Sequence, residues 1–167
     1  MKTQMNTEQV WSWLAQVPDP EIPVISVVDL GIVRDVAWDD DTCVVTITPT
    51  YSGCPATHVI SESIEQAIRE NGVEKVRLET QLSPAWTTDW LSEEGKKKLK
   101  GYGIAPPAQQ VIDISRITRR KVPEPEVACP LCGSTHTRLT SQFGSTPCKA
   151  LYRCDDCLEP FDYFKCH

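Results

Sequence analysis

The chain has 167 residues, enough for one modest domain and a second small one, and 40% of them are hydrophobic, as in an ordinary globular protein. Its 17 basic and 23 acidic residues give a formal net charge of -6. Because phosphate binding needs clustered Lys and Arg, this balance argues against nucleic acid as the main partner.

Two further classes of protein are disfavoured by the distribution of apolar residues. No run approaches the ~20 apolar residues that span a bilayer, so we expect no membrane association. No apolar signal run precedes the first predicted helix, so we expect a cytoplasmic protein in a reducing compartment.

The first domain is predicted to begin with a helix and to continue as a hairpin. Asn6 or Thr7 caps the helix, whose apolar residues recur at helical spacing until Pro18 ends it. Strands over Gly31–Trp38 and Thr42–Thr48 then form a hairpin around three consecutive aspartates.

A second helix, a third strand and a last helix follow. The helix covers about Ala56–Arg69, with isoleucines on one face and Gly72 as its C-cap. The strand covers Val76–Leu82, and the last helix covers Ser92–Lys100. The order α-β-β-α-β-α describes an α+β fold, a small two-layer α/β sandwich.

Proline-rich segments mark the domain boundary. Pro106-Pro107 ends the first domain, and a Pro/Glu segment precedes the second. Between them, Val111–Ile114 alternates enough to form one strand or an extended strap. We therefore predict an α/β domain over residues 1–107, a linker or strap over 108–126 and a small C-terminal domain over 127–167.

Four cysteines of the C-terminal domain form two close pairs, Cys129-x-x-Cys132 and Cys154-x-x-Cys157. Two cysteines at this spacing can both reach one metal when a tight knuckle joins them, which a proline within the first pair and a glycine after it favour. The intervening segment is long enough for a hairpin that brings the pairs together. The spacing predicts a zinc ribbon in which four thiolates hold one structural Zn²⁺. A disulfide framework is the alternative, which a reducing compartment disfavours.

Three more metal-ligating residues lie in the same domain, Cys148, Cys166 and His167. One of them could replace a member of the close pairs, or they could bind a second metal. The spacing favours the close pairs, and Cys148 is otherwise expected to be a small buried residue.

The segment between the hairpin and the second helix is the part of the first domain best suited to chemistry. Cys54 lies just before the helix, with Pro55 in a favoured first-turn position, so free N–H groups and the positive end of the helix dipole lie near its sulfur. This placement favours a thiolate that can act as a nucleophile or a metal ligand. His58 and Glu62 follow at intervals of four residues. The alternative, a small buried Cys54 and a surface His58, is slightly favoured by spacing alone.

Asp19 and Glu21 lie in a loop that two prolines stiffen. Such carboxylates can ligate a hard metal or fix the backbone of a partner. Acidic residues in loops are usually solvated, and chemistry alone favours that interpretation.

Several segments of the first domain resemble the MIP18 (DUF59) family. They are Asp19–Val24, Val28–Val33, Thr50 with Gly53-Cys54-Pro55, and Gly103–Pro107. The resemblance implies a role in iron-sulfur cluster assembly or iron trafficking, with Cys54 at the position of the family's signature cysteine.

Together with a ribbon that ends in Ala150–Cys154 and Asp162–His167, the whole chain resembles the PaaD family, whose members serve bacterial phenylacetyl-CoA epoxidase systems. The resemblance implies a cytoplasmic protein of aerobic phenylacetate breakdown, needed by a multicomponent monooxygenase. The sequence has no paired Glu-x-x-His motifs for a di-iron centre and no Gly-x-Gly-x-x-Gly loop, so we expect no independent catalysis.

The resemblance favours a maturation factor that helps to insert iron or an iron-sulfur cluster into partner subunits of the epoxidase, with iron-sulfur assembly proteins as further partners. In this hypothesis Cys54 is the transient ligand of the iron or cluster, Asp19, Glu21 and His58 are candidate co-ligands or loop organisers, and the zinc ribbon is a docking module.

The alternative hypothesis is a structural adaptor that bridges epoxidase subunits through an exposed apolar or aromatic patch. Residues that could form the patch are Trp86, Trp90, Tyr102, Phe161 and Phe164, although aromatic residues at such positions are more often core.

Overall fold

The computed structural model describes residues 6–51, 53–107 and 126–165. The predicted strand at 111–114, Cys166 and His167 lie outside these ranges, as does the predicted linker except for its last residue.

The chain forms two compact units that divide between Lys98 and Leu99. The boundary predicted from the sequence lies later, at residue 107. The units divide earlier because Ile104–Ala105 pair with a strand of the C-terminal sheet.

The elements of the first unit follow the predicted order, and the predicted α+β fold class is confirmed. They are α1 (Thr7–Leu14), β1 (Val33–Asp39), β2 (Thr42–Ile47), α2 (Ala56–Glu70), β3 (Val76–Thr80), a 3-10 turn (Thr88–Trp90) and α3 (Glu93–Gly101), whose last residues fall beyond the division between the units. None of the described helices has the length and apolar composition needed to cross a bilayer.

The sheet of the first unit has the strand order β1-β2-β3. The β1 and β2 strands form the predicted antiparallel hairpin, whereas β3 runs parallel to β2. A parallel neighbour requires a crossover, and α2 supplies it. The isoleucines of α2 are buried, as the helical spacing predicts, and Cys43 on β2 is fully buried. Burial raises the pKa of the Cys43 thiol.

Local signals account for the ends of the first two helices. The Asn6 side chain accepts a hydrogen bond from the N–H of Glu8, and the Gln9 side chain accepts one from the N–H of Asn6, so α1 begins with a capping box. At the end of α2 the C-cap is Asn71 rather than Gly72. Gly72 follows it with a φ of +93°, the left-handed conformation that commonly closes a helix.

The second unit contains a four-stranded sheet in the order β4-β7-β6-β5. The strands are β4 (Ile104–Ala105), β5 (Thr137–Ser141), β6 (Lys149–Cys154) and β7 (Pro160–Phe164). β6 is antiparallel to both of its neighbours, β5 and β7, and β4 runs parallel to β7. Tyr152 lies in the core, stacked on Phe161 and edge-to-face with Tyr163 at a centroid distance of 5.3 Å.

The five aromatic residues predicted as a candidate patch do not form one exposed surface. Trp86, Phe161 and Phe164 are buried, and Trp90 is half-buried beneath the guanidinium of Arg34. Of the five, only Tyr102 is exposed. Burial of Trp86, Phe161 and Phe164 agrees with the core interpretation, so these five residues do not supply the exposed patch that the adaptor hypothesis requires.

Asp29 joins the loop before β1 to the start of α3. Its carboxylate accepts hydrogen bonds from Ser92 Oγ at 2.9 Å and Lys98 Nζ at 2.7 Å, while Ser92 Oγ accepts from the N–H of Gly95 and so caps α3. Burial acts to raise the pKa of Asp29, but hydrogen bonds from Lys98, Ser92 and the N–H of Ser26 outweigh it. The pKa of Asp29 is therefore below its ordinary value.

Leu30 and Gly31, which follow Asp29, contact two tryptophans. The indole N–H of Trp86 donates to the carbonyl of Leu30 at 2.8 Å. Gly31 has a φ of +71°, and a Cβ on it would lie 2.5 Å from the carbonyl oxygen of Trp90. Only glycine fits this close approach.

We expect Gly31→Ala to lower the free energy of unfolding of the first unit by about 2–4 kcal/mol, because the added methyl combines a left-handed backbone with a clash against backbone atoms. Urea unfolding followed by tryptophan fluorescence measures this, since all five tryptophans precede residue 99. Gly53→Ala is the control, because Gly53 also has a positive φ but open space around its Cβ position, and its cost should be about 1 kcal/mol. Equal losses in the two variants would contradict the steric argument.

We expect Asp29→Asn to lower the free energy of unfolding at neutral pH by about 1–3 kcal/mol, because it removes a charged acceptor that is 14% exposed. Since folding depresses the pKa of Asp29, its contribution is present above the unfolded-state pKa and is lost as the pH falls through the folded-state pKa. The difference between variant and wild type should therefore disappear in acid. Asp41→Asn, which removes an exposed partner of Lys75, should cost at most about 1 kcal/mol. A difference for Asp29→Asn that persists in acid would contradict the assignment.

Candidate metal centre and the Cys54 loop

The four cysteines of the two close pairs converge on one point. Their sulfur atoms all lie within 4.8 Å of one another. Cys129 Sγ is 3.8 Å from Cys157 Sγ, and Cys132 Sγ is 3.6 Å from Cys154 Sγ. A tetrahedral zinc site with Zn–S bonds of about 2.3 Å places neighbouring sulfurs about 3.8 Å apart. The four thiols therefore fit such an ion.

The two knuckles that present these thiols have the same backbone design. The N–H of Cys129 donates to the carbonyl of Ser134 at 2.8 Å, and the N–H of Cys154 donates to that of Glu159 at 3.0 Å. The residue after the second cysteine of each pair has a left-handed backbone conformation: Gly133 has a φ of +79° and Leu158 a φ of +67°. Each knuckle thus closes by a hydrogen bond from residue i to residue i+5.

The four thiols differ in burial and in acidity. Cys129 and Cys154 are buried, Cys157 is half-buried and Cys132 is exposed. A hydrogen bond from the N–H of Cys157 lowers the pKa of Cys154 to about 7. For Cys157 a hydrogen bond from the backbone of Glu159 acts to lower the pKa, but burial and the neighbouring thiols outweigh it and raise the pKa to about 12. Four thiolates in this space need a cation to neutralise them, and a bound metal supplies it.

A polar network joins the two knuckles outside the thiols. Ser134 Oγ donates a hydrogen bond to Asp156 and accepts one from the N–H of His136. His136 Nδ1 lies 3.2 Å from an oxygen of Asp156. Hydrogen bonds from Ser134 and His136 lower the pKa of Asp156. No sequence pattern predicts this network. It forms because folding brings the two knuckles together, and their polar residues are about twenty positions apart in sequence.

Cys148 does not belong to the four-thiol group. It precedes β6, whereas Cys154 ends that strand, and six residues of extended chain span about 20 Å. Its side chain is buried, and its sulfur lies 3.0 Å from Thr146 Oγ1. Cys148 is therefore the small buried residue of the alternative expectation, and not a ligand of this centre.

Cys54 lies in the turn that leads into α2, as its position before the helix predicts. Its N–H donates to the carbonyl of Tyr51 at 3.3 Å, and its carbonyl accepts from the N–H of Thr57 at 3.1 Å. The residue is half-buried, and its thiol forms no disulfide. The turn thus holds a partly accessible thiol at the N-terminal end of a helix.

The candidate co-ligands of Cys54 occupy different environments. Asp19 is buried, and its Oδ1 accepts hydrogen bonds from the N–H groups of Glu21 at 2.9 Å and Ile22 at 2.8 Å. Asp19 therefore organises its own loop. His58 is 79% exposed, with Nδ1 3.5 Å from Glu62 Oε1.

The structure does not assemble these candidates into a second cluster. Within the described ranges, the four cysteines of the ribbon are the one group of three or more His, Cys, Asp or Glu side chains placed to hold a single metal ion. Cys54, Asp19, Glu21 and His58 form no such group there.

Comparisons with known proteins agree with this two-part architecture. Residues 115–165 match the family model of the PaaD zinc beta ribbon domain, and residues 7–78 match that of an iron-sulfur cluster assembly protein. The D component of the "Putative 1,2-phenylacetyl-CoA epoxidase" of Escherichia coli is 51% identical over 95% of this chain and 92% of its own length. The chain belongs to the PaaD family. Its C-terminal unit is accordingly a zinc ribbon domain with a metal-binding cysteine cluster.

Other relatives of this PaaD family member match only part of the chain. An "Fe-S protein maturation auxiliary factor" of Porphyromonas gingivalis is 37% identical over 55% of this chain and 89% of its own length. The crystal structure of a DUF59 domain from Bacillus anthracis has a TM-score of 0.52 and 28% identity, covering 55% of this chain and 89% of that domain. The predicted resemblance to the DUF59 family is confirmed.

We expect Cys132→Ser to abolish stable metal binding, because three thiolates and a hydroxyl cannot replace the four-thiolate set. The measurement is the metal content of the purified protein by element-resolved mass spectrometry after dialysis against a chelator. Cys148→Ser is the matched control and should retain the metal of the wild type. Loss of metal from Cys148→Ser, or retention by Cys132→Ser, would contradict the assigned ligand set.

Proposed function

We propose that this chain is an accessory maturation factor of a phenylacetyl-CoA epoxidase system, and that it helps to insert iron or an iron-sulfur cluster into partner subunits. The observation that carries the proposal is that one chain combines segments that match two different families. Residues 7–78 match an iron-sulfur cluster assembly protein, while residues 115–165 match a ribbon named for PaaD. The first part suggests the chemistry, and the second suggests the system it serves.

The metal of the ribbon is Zn²⁺ with a structural role in this proposal. Four thiolates from the chain fill a tetrahedral coordination shell and leave no open position for a substrate or a water. The sulfur–sulfur distances suit that ion. The ribbon then acts as a rigid module for docking rather than as a site of chemistry.

Cys54 is the transient ligand of the iron or cluster. The residue is half-buried and lies at the N-terminal end of α2. A thiolate is a suitable ligand for iron and its clusters. Asp19 supports the site by holding its own loop, and Glu21 and His58 are candidate co-ligands.

The partners in this proposal are proteins of the cytoplasm. They are the other subunits of the epoxidase, which receive the iron or cluster, and iron-sulfur assembly proteins, which supply it. The chain itself performs no independent catalysis.

The test is the iron content of epoxidase subunits purified from cells that carry either wild-type chain or Cys54→Ala. We expect iron-poor partner subunits from Cys54→Ala, because the transfer ligand is missing while the fold and the zinc of the variant remain. Circular dichroism and zinc content of the variant check the second condition. Cys148→Ser, which removes a thiol outside both sites, should give partners with normal iron.

Two outcomes would contradict the proposal. Full iron loading of the partners by Cys54→Ala would remove Cys54 from any transfer step. Stoichiometric co-purification of the chain with the epoxidase, with iron loading independent of the chain, would instead identify the structural adaptor.

A further inference from the structure

Two leucines are exposed at the knuckles of the ribbon. Leu131 is 59% exposed and Leu158 is 60% exposed. They adjoin Cys132 and Cys157 in sequence, and the sulfurs of these cysteines belong to the same cluster. Both leucines are therefore exposed residues next to cysteines of the same four-thiol cluster.

Leu158 has a backbone conformation that is unfavourable for leucine. Its φ is +67°, and a non-glycine residue in the left-handed region costs about 1–2 kcal/mol. Gly133 occupies the equivalent position of the other knuckle without that penalty. Because most of the Leu158 side chain is exposed, packing within the ribbon recovers little of this cost. The left-handed conformation belongs to the closure of the knuckle, which Gly133 shares, so the feature that packing leaves unexplained is an exposed leucine at a position that favours glycine.

The surroundings of the two leucines are negatively charged. Asp155, Asp156 and Glu159 are exposed carboxylates of the second knuckle. Arg138 Nε lies 3.2 Å from Asp155 Oδ1, His136 Nδ1 lies 3.2 Å from Asp156 Oδ2, and Arg153 is the cross-strand neighbour of Arg138. Four thiolates around one Zn²⁺ add a net charge of about -2. Negative charge therefore remains after Arg138, Arg153 and His136 are counted.

We propose that these residues form a docking surface for a partner subunit of the epoxidase, one that presents Lys or Arg side chains around an apolar depression. We call it the knuckle surface and define it as Leu131, Leu158, Asp155, Asp156 and Glu159. The leucines enter the depression and supply affinity, and the carboxylates and metal centre orient the approach of the cationic partner. This inference rests on the proposed function, because it takes its partner from the same system.

The test measures binding of the zinc-loaded full chain to each purified epoxidase subunit by isothermal titration calorimetry, at low and at moderate NaCl concentration. The variant is Leu131→Asn/Leu158→Asn, since asparagine tolerates a positive φ and removes the apolar surface without adding strain. Leu82→Asn is the matched control, because Leu82 is also 60% exposed but lies in the first unit. Zinc content and circular dichroism of each variant verify the fold.

We expect the double variant to bind its subunit about thirtyfold more weakly than the wild type, from the loss of two half-exposed leucines, and Leu82→Asn to bind as the wild type does. Wild-type affinity should fall as NaCl rises. Unchanged affinity in the double variant would overturn the inference, and affinity that is independent of salt would overturn the cationic character of the partner.

Two further outcomes would show that something else covers the knuckle surface, or that nothing does. Self-association of the wild type that the double variant abolishes, seen by analytical ultracentrifugation, would show that a second copy covers the knuckle surface and would overturn the inference. Absence of wild-type binding to every subunit would also overturn it. The proposed function is judged separately, by the iron content of subunits from cells that lack the chain.

Discussion

Convergence of the four thiols is the constraint on which the ribbon depends. The buried core of this unit includes two of the metal ligands, Cys129 and Cys154, beside Tyr152. Because β6 carries both Tyr152 and Cys154, closing the metal centre also sets Tyr152 against Phe161 and Tyr163. Because two of the four cysteines lie in this small core, a metal bound by the four thiols would also contribute free energy to the folding of the ribbon.

The first unit contains a different device, a segment of three consecutive residues that each make long-range contacts. The Asp29 carboxylate binds Ser92 and Lys98, and the carbonyl of Leu30 accepts from Trp86. Gly31 lets its backbone approach that of Trp90. These contacts join residues about sixty positions apart, and they explain why the Val28–Val33 motif contains an acid and a glycine. The role of this segment is positioning, since the ionised carboxylate accepts hydrogen bonds from Ser92, from Lys98 and from the N–H of Ser26.

Local patterns predicted much of the architecture, whereas contacts between distant residues were not predictable. The capping box at Asn6, the apolar face of α2 and the cysteine spacing depend on neighbours within a few residues, and they lead to the observed elements. The pairing of β4 with β7 depends on residues far apart in sequence, and spacing gives no signal for it. For the same reason aromatic residues such as Trp86 were open to a surface interpretation, although the structure buries them. Asp19 is a similar case, because only its hydrogen bonds show that it organises a loop.

The two kinds of cysteine site differ in a way that bears on transfer. In the ribbon, the four thiols lie close enough together to fill the tetrahedral shell of one ion, so an ion bound there would need no donor from another molecule. Around Cys54, the described residues provide no group of three ligating side chains. Iron held at Cys54 under the proposed function therefore needs donors from a second protein or a small molecule to fill its shell. A recipient subunit that offers more thiolates or imidazoles would then take the iron by ligand exchange, without any need for the carrier to unfold. Release would thus be coupled to docking, and the same encounter that brings the ribbon against its partner would determine when the iron leaves Cys54.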